Sequence, residues 1–172
     1  CCYAQLPTQA KIDVMKKISF LTFFLLLTTT VLAQNQLTVF YFGATSCGPC
    51  NRPEVIESID KLRAEFDSVH PEYDTKFVMV VFDEDIETGL DFIKKYDYWD
   101  EVSMGSRYDN ELSLDNLNKA EIPALPHILI YEETFEKVGD WGIEVRKNKT
   151  LVKEVLEGDE IVSWINSGME LN

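Results

Sequence analysis

Histidine is almost missing from this chain: His70 and His127 are the only two in 172 residues. Cysteine is nearly as scarce, with Cys1, Cys2, Cys47 and Cys50 making the full set. A structural zinc site takes four such ligands, and a second thiol pair to complete one is lacking once the leader is removed. A small disulfide-stapled scaffold is excluded on the same ground. Basic residues are few as well, 16 Lys and Arg against 30 Asp and Glu, for a formal charge of −14. That surface repels nucleic acid and anionic membranes, so neither is an expected partner. Internal repeats, low-complexity tracts and dividing linkers are also missing, which leaves one domain with room for a real core.

What is present begins with an export pattern. Residues 1–14 show no pattern and read as sequence upstream of the natural start. From Met15 the chain runs through Lys16 and Lys17, an apolar stretch from Ile18 to Leu27, three threonines, and Val31-Leu32-Ala33. A positive start, an apolar run of this length and small residues at a break make a signal peptide over 15–33, cut after Ala33. The rival reading is an uncleaved anchor, but the run falls short of the roughly 20 residues a bilayer requires. The expected location is periplasmic or secreted. Cleavage removes Lys11, Lys16, Lys17 and Asp13, leaving 13 basic and 29 acidic residues, a formal charge of −16. It also removes Cys1 and Cys2. The domain over 34–172 keeps Cys47 and Cys50 as its only thiols.

Two thiols three positions apart close a tiny loop and restrict the unfolded chain little, so the pair reads as chemical rather than structural. Leu37 to Phe42 is a β-branched and aromatic run, a buried strand. Apolar residues at Val55, Ile59, Leu62, Phe66 and Val69 lie on one face of a helix. Phe77 to Phe82 is a second buried strand, followed by a helix with Leu90, Ile93 and Tyr96 inward. Asp97 to Asp109 fits no element. Leu114 and Leu117 suggest a short helix, Ile128 to Tyr131 a third strand, and Val138 to Val145 a last one. Asp159 is placed to cap a helix carrying Ile161, Trp164 and Ile165. Strand, helix, strand, helix, strand is the order of an α/β sheet covered on both faces.

Cys47 follows a strand and opens a helix in this reading. There the free N–H groups and the helix dipole lower a thiol pKa and favour the attacking thiolate. Pro49 suits a first helical turn, where its missing N–H has no partner. Cys50, one turn on, faces inward. Cys47 is then the nucleophile and Cys50 the resolving thiol.

Phe-Gly-Ala-Thr-Ser-Cys-Gly-Pro-Cys after an apolar strand resembles the active-site segment of the thioredoxin superfamily. Leu125-Pro126-His127-Ile128-Leu129-Ile130-Tyr131 resembles its cis-proline segment. The likeness covers roughly residues 37–142, and the long segment between Phe82 and Ile122 is similar to that of exported reductases of cytochrome c maturation and of the peroxiredoxin-like branch. It implies a three-layer sandwich, a central mixed sheet with helices on both faces. It also implies that Gly48 and Pro49 form the active-site loop, that Pro126 is cis and faces the cysteines, and that Leu125 pairs through its main chain with an extended substrate. No separate cofactor is implied: the redox group is the Cys47–Cys50 disulfide.

Several positions depart from the family. Ser46 stands where a tryptophan is usual, and Gly43 where another aromatic is common. Tyr41 occupies the strand position of a buried aspartate, and the second strand brings no lysine. Proton transfer at Cys50 is left to Glu54 or water, and Pro53 threatens a kink close by.

Other features have plainer readings. Asp83-Glu84-Asp85 lacks calcium-loop spacing and reads as a solvated strand exit. Tyr96, Tyr98 and Trp99 close a core rather than line a partner groove. Asn148-Lys149-Thr150 fits a glycosylation pattern by accident. The expected function is an exported thiol-disulfide oxidoreductase, reducing or exchanging disulfides of protein substrates and recharged by a membrane or envelope electron donor. Two alternatives remain: a thioredoxin-fold binding or chaperone module, and a copper or zinc carrier using Cys47, Cys50 and His127.

Overall fold

The computed structural model describes residues 35–139 and 141–171. The expected signal peptide, its expected cleavage point and the segment before it lie outside them. Among the described residues no helix is long and apolar enough to cross a membrane.

Strand β1 (Gln36–Gly43) is the apolar run expected, buried along almost its whole length. A 3-10 turn (Pro49–Asn51) and helix α1 (Pro53–Val69) lead to β2 (Asp74–Val81). Then come α2 (Ile86–Ile93), β3 (Glu101–Met104), α3 (Glu111–Asp115), a second 3-10 turn (Leu117–Lys119), β4 (His127–Val138), β5 (Ile143–Leu156) and α4 (Gly158–Asn166). The five strands form one sheet in the order β3-β2-β1-β4-β5. β1, β2 and β3 run parallel, while β4 is antiparallel to both β1 and β5. The sheet is therefore mixed, as expected.

Alternation along the strands divides the side chains between two cores. On one face Leu37, Val39 and Tyr41 join Phe77, Met79 and Val81 against Val55, Ile59, Leu62 and Phe66 of α1 and Ile161 and Ile165 of α4. Burial of such a side chain contributes roughly 1.5–3 kcal/mol relative to leaving it in water. The other face is thinner: Phe40, Phe42, Val78, Val80 and Leu129 are covered by Leu117 and Leu112 around α3. Helices do lie on both faces, but the second layer is one short helix and a turn.

Four sequence expectations change. Leu90 is 42% exposed, and Phe92 takes the inward position. Gly89 shares that inward face: α2 packs so close to β3 that a Cβ there would strike the Met104 sulfur. Val69 is exposed, and His70 folds under instead, its ring 4.6 Å from Phe66 and its Nε2 3.0 Å from the Met169 carbonyl oxygen. The last strand expected from Val138 to Val145 is instead divided between two: Val138 ends β4, Ile143 to Val145 begin β5, and Trp141 between them is exposed. Finally, Asp159 sits in the first turn of α4, after its N-cap Glu157, and pairs with Arg52 at 2.7 Å. The aromatic run divides as well: Tyr96 and Trp99 are buried with Tyr41, whereas Tyr98 is exposed against Arg63.

Candidate active site

At the end of β1 the chain must leave the sheet past the ring of Phe92. Gly43 permits this, since a Cβ there would lie 2.7 Å from that ring. The aromatic residue common at this position has no room. Beyond it the loop is tied down by hydrogen bonds. The Cys47 N–H donates to the Ala44 carbonyl at 3.1 Å. Asp83 accepts the Thr45 N–H at 2.8 Å, and the Thr45 hydroxyl donates to the Thr88 carbonyl. Asp85 caps α2 by accepting from Thr88. The acidic run after β2 thus has two structural duties.

Asn51 is the main brace. Its amide donates to the carbonyls of Thr45 at 2.9 Å and Cys47 at 2.7 Å, and its Oδ1 accepts from Lys95. An Asn that bonds nearby backbone is a familiar loop former, so its position next to Cys50 was a usable signal. Asp83 and Lys95 are reached only through the fold.

The two cysteines are joined by a disulfide, with Cα atoms 5.3 Å apart. Their exposures differ as expected: Cys50 is fully buried, Cys47 only half-buried. Gly48 and Pro49 are exposed between them. The Cys50 N–H points at Cys47 Sγ, 3.1 Å away. The helix start, however, moves. Cys47 does not open an α-helix; a 3-10 turn carries Pro49 and Cys50, Arg52 is extended, and α1 begins at Pro53. The residue before a proline is pushed out of the helical region, so Pro53 ends the turn at Arg52 and then starts α1 as its first residue. It does not kink a helix. The dipole of α1 therefore begins a turn beyond the thiols, and the local N–H of Cys50 is the group that meets Cys47.

Beneath Cys50 lie two phenols. The Tyr41 and Tyr96 hydroxyls are 3.0 Å apart, and the Tyr96 hydroxyl donates to the Cys50 carbonyl at 3.2 Å. Burial pushes Tyr41 well above the ordinary tyrosine value and Tyr96 up to about 12. Glu54 is exposed and pairs with Arg52 at 3.4 Å.

Pro126 comes to the same place from the other side of the chain. The Leu125–Pro126 bond is cis. His127, the next residue, is paired with Phe42, so Pro126 lies level with Gly43, at the end of β1 from which the cysteine loop departs. The half-buried Leu125 touches both cores. A parallel β1–α1–β2 unit, an antiparallel β4–β5 pair with a final helix, and a cis proline opposite a Cys-x-x-Cys loop decide the fold. This is a thioredoxin-like domain.

His127 is not near the thiols. Strand alternation puts it with Phe42 and Leu129 on the opposite face of the sheet from Cys50, where Nε2 meets Glu154 at 2.9 Å. Three-ligand use of Cys47, Cys50 and His127 is not supported by this placement. Among the described residues no group of three or more His, Cys, Asp and Glu side chains is arranged to hold a metal.

No protein-family model and no curated protein sequence matches the chain. Among solved structures the thioredoxin-like domain is similar to the thioredoxin domain of a thiol-disulfide oxidoreductase from Bacteroides vulgatus, at 20% identity over 77% of this chain and 78% of that one, TM-score 0.43. A secreted Mycobacterium tuberculosis disulfide oxidoreductase is similar at 17% identity over 78% and 84%, TM-score 0.43. StoA from Bacillus subtilis is similar at 17% identity over 76% and 83%, TM-score 0.39. The reading of the fold rests on this chain's own strand order and cis proline.

Proposed function

We propose that the protein is an exported thiol-disulfide oxidoreductase that reduces or exchanges disulfides in protein substrates. The observation that carries this reading is the asymmetry of the Cys47–Cys50 disulfide: one sulfur reachable, the other buried, in a braced loop beside a cis proline. Export is argued from the Lys16-Lys17, apolar and Val31-Leu32-Ala33 pattern.

In the reduced form the Cys47 thiolate attacks a substrate disulfide, forming a mixed disulfide and releasing one substrate thiolate. The Cys50 N–H, aimed at Cys47 Sγ, favours that thiolate. Cys50 then attacks Cys47 Sγ, restoring the internal disulfide and releasing the second substrate thiol. Leu125 offers main-chain groups to an extended substrate segment, and Pro126 keeps the site free of a competing N–H. No separate cofactor takes part. A dithiol donor in the membrane or envelope returns the two electrons.

The test is a trap. The chain from Gln34 with Cys50→Ser, mixed with oxidised envelope extract, should form reductant-sensitive adducts through Cys47. A Cys47→Ser, Cys50→Ser control should form none. A folded trap that reacts with a small disulfide yet captures no protein would overturn the reading in favour of a binding module.

A further inference from the structure

The carbonyl of Cys50 lacks a natural partner. In a continuing 3-10 turn it would accept from residue 53, but Pro53 has no N–H, and the extended Arg52 carries the chain away before α1 begins. The chain solves this from a distance. Tyr96, 46 residues later and just past the end of α2, donates its hydroxyl to that carbonyl at 3.2 Å. Having spent its one proton there, Tyr96 accepts at its oxygen, so Tyr41 is the donor across the 3.0 Å between the hydroxyls. Tyr41 stands on β1 directly below the loop, fully buried, with its ring against both Tyr96 and Trp99. The order is fixed: Tyr41 to Tyr96 to the backbone of the buried cysteine.

We propose that Tyr96, aligned by Tyr41, is a positioning residue that fixes the backbone of Cys50 so that the resolving thiol stays in line with Cys47. This rests on the thiol exchange proposed above. It assigns the phenols no proton transfer. Burial pushes Tyr96 up to about 12 and Tyr41 well above the ordinary tyrosine value, so both keep their protons at working pH. In the resolving step the Cys50 S–H bond breaks and a Cys50–Cys47 S–S bond forms. The bond from Cys47 to the substrate sulfur breaks, and that sulfur leaves with the electron pair. The Cys50 proton goes to the departing thiolate, or to water where that thiol is acidic. Asp60 is the carboxylate whose charge reaches Tyr96, and Asp97 stands beside Asp60; neither is bonded to Cys50.

Stopped-flow reaction of the reduced protein with a chromogenic aromatic disulfide separates the steps. A first phase, proportional to reagent, reports attack by Cys47. A second, independent of reagent, reports resolution by Cys50. Tyr96→Phe should leave the first phase and its pH profile unchanged and slow the second about tenfold. Tyr41→Phe, which leaves the Tyr96–Cys50 bond in place, should slow it two- to threefold. The second phase should keep its pH profile in Asp60→Asn. Equal second phases in Tyr96→Phe and the parent would overturn the proposal. So would a slowing of both phases together, which marks general loosening, or an inflection lost in Asp60→Asn, which marks a proton acceptor. Absence of the first phase in the parent would instead sink the exchange reading itself.

Discussion

Two buried polar clusters occupy opposite ends and opposite faces of the same sheet, and they are built from different chemistry. Near the start of β1, Glu133 is almost wholly buried and accepts from Thr38 at 2.8 Å and Arg146 at 2.7 Å, with Lys149 at 4.0 Å. Lys149 also lies over the rings of Tyr131 and Phe40, and burial holds it below the ordinary lysine value. Near the end of β1, beneath the cysteines, the buried polar atoms are the neutral phenols of Tyr41 and Tyr96. The charged cluster pins the hairpin to β1 where no reaction occurs. A charge under the disulfide would favour one protonation state of Cys50 over the other; two phenols give direction without that bias.

The charged cluster is the costlier one to break. Glu133→Ala leaves Thr38 without its acceptor and takes the carboxylate from Arg146 and from Lys149, which keeps Asn116, so a loss of about 2–4 kcal/mol is expected. Because the site lies at the far end of β1, the rates of both thiol phases should stay at parental values. A urea titration together with the stopped-flow assay checks this. A Glu133→Ala protein with slowed resolution would show that the two ends are coupled after all.

Tyr96→Phe should cost less, about 1–2 kcal/mol for a buried carbonyl left unpaired. Its effect on resolution should nonetheless exceed that of Glu133→Ala. That inversion between stability and rate is the sharpest form of the comparison, and thermal melts beside the second kinetic phase measure it. If rate simply follows stability across both variants, the phenols have no special position.

The sequence made one half of this contrast visible. Buried strands announce themselves by unbroken apolar runs, and the Cys-Gly-Pro-Cys and Leu125-Pro126 segments are local, so the sheet centre and the thiol pair are legible in the sequence alone. Tyr41 is a visible departure from the family pattern, but its partner lies 55 residues away, in a stretch whose own periodicity favours Leu90 over Phe92. An eight-residue helix with Gly89 facing a neighbour offers too few apolar positions for its register to be read. Pro53 was ambiguous for a different reason. A proline near a helix start both ends one segment and begins the next, and only the extended Arg52 decides between a kink and a break. The β4–β5 arm was hidden because its strands are exposed and carry charges where a buried strand carries valines.

His127 and Glu154 test whether the cysteine end tolerates charge on its outer face. Burial lowers the His127 pKa below the usual histidine value, more than the nearby Glu154 raises it. The folded state therefore prefers the neutral ring. The unfolded chain takes up a proton first as pH falls, so the contribution of this group is present above about 6.5 and is lost as pH drops through the lowered folded value. Urea midpoints should fall between pH 7.5 and 5, and His127→Gln should flatten the part of that fall lying just below 6.5. An unchanged slope would mean that Glu154 offsets the burial and leaves the ring's proton affinity equal in the folded and unfolded states, and a steeper fall would mean that Glu154 holds the ring protonated.

The smallest expected effect concerns Asp60, the carboxylate that comes nearest to breaking the neutrality around the phenols. Partial burial raises its pKa, and the charge of Asp97 adds to the rise, although the Asp97 N–H donates to it at 3.3 Å. A carboxyl raised in the folded state opposes folding once it is ionised. Asp60→Asn keeps an oxygen for the Asp97 N–H while removing the charge. It should raise the urea midpoint slightly at pH 7 and leave it unchanged at pH 3, where both forms are neutral. The group is only part-buried, so screening keeps the gain small, and added salt should shrink it further. A destabilised Asp60→Asn at pH 7 would mean that the negative charge itself is used, and the phenol pair could no longer be described as standing apart from charge.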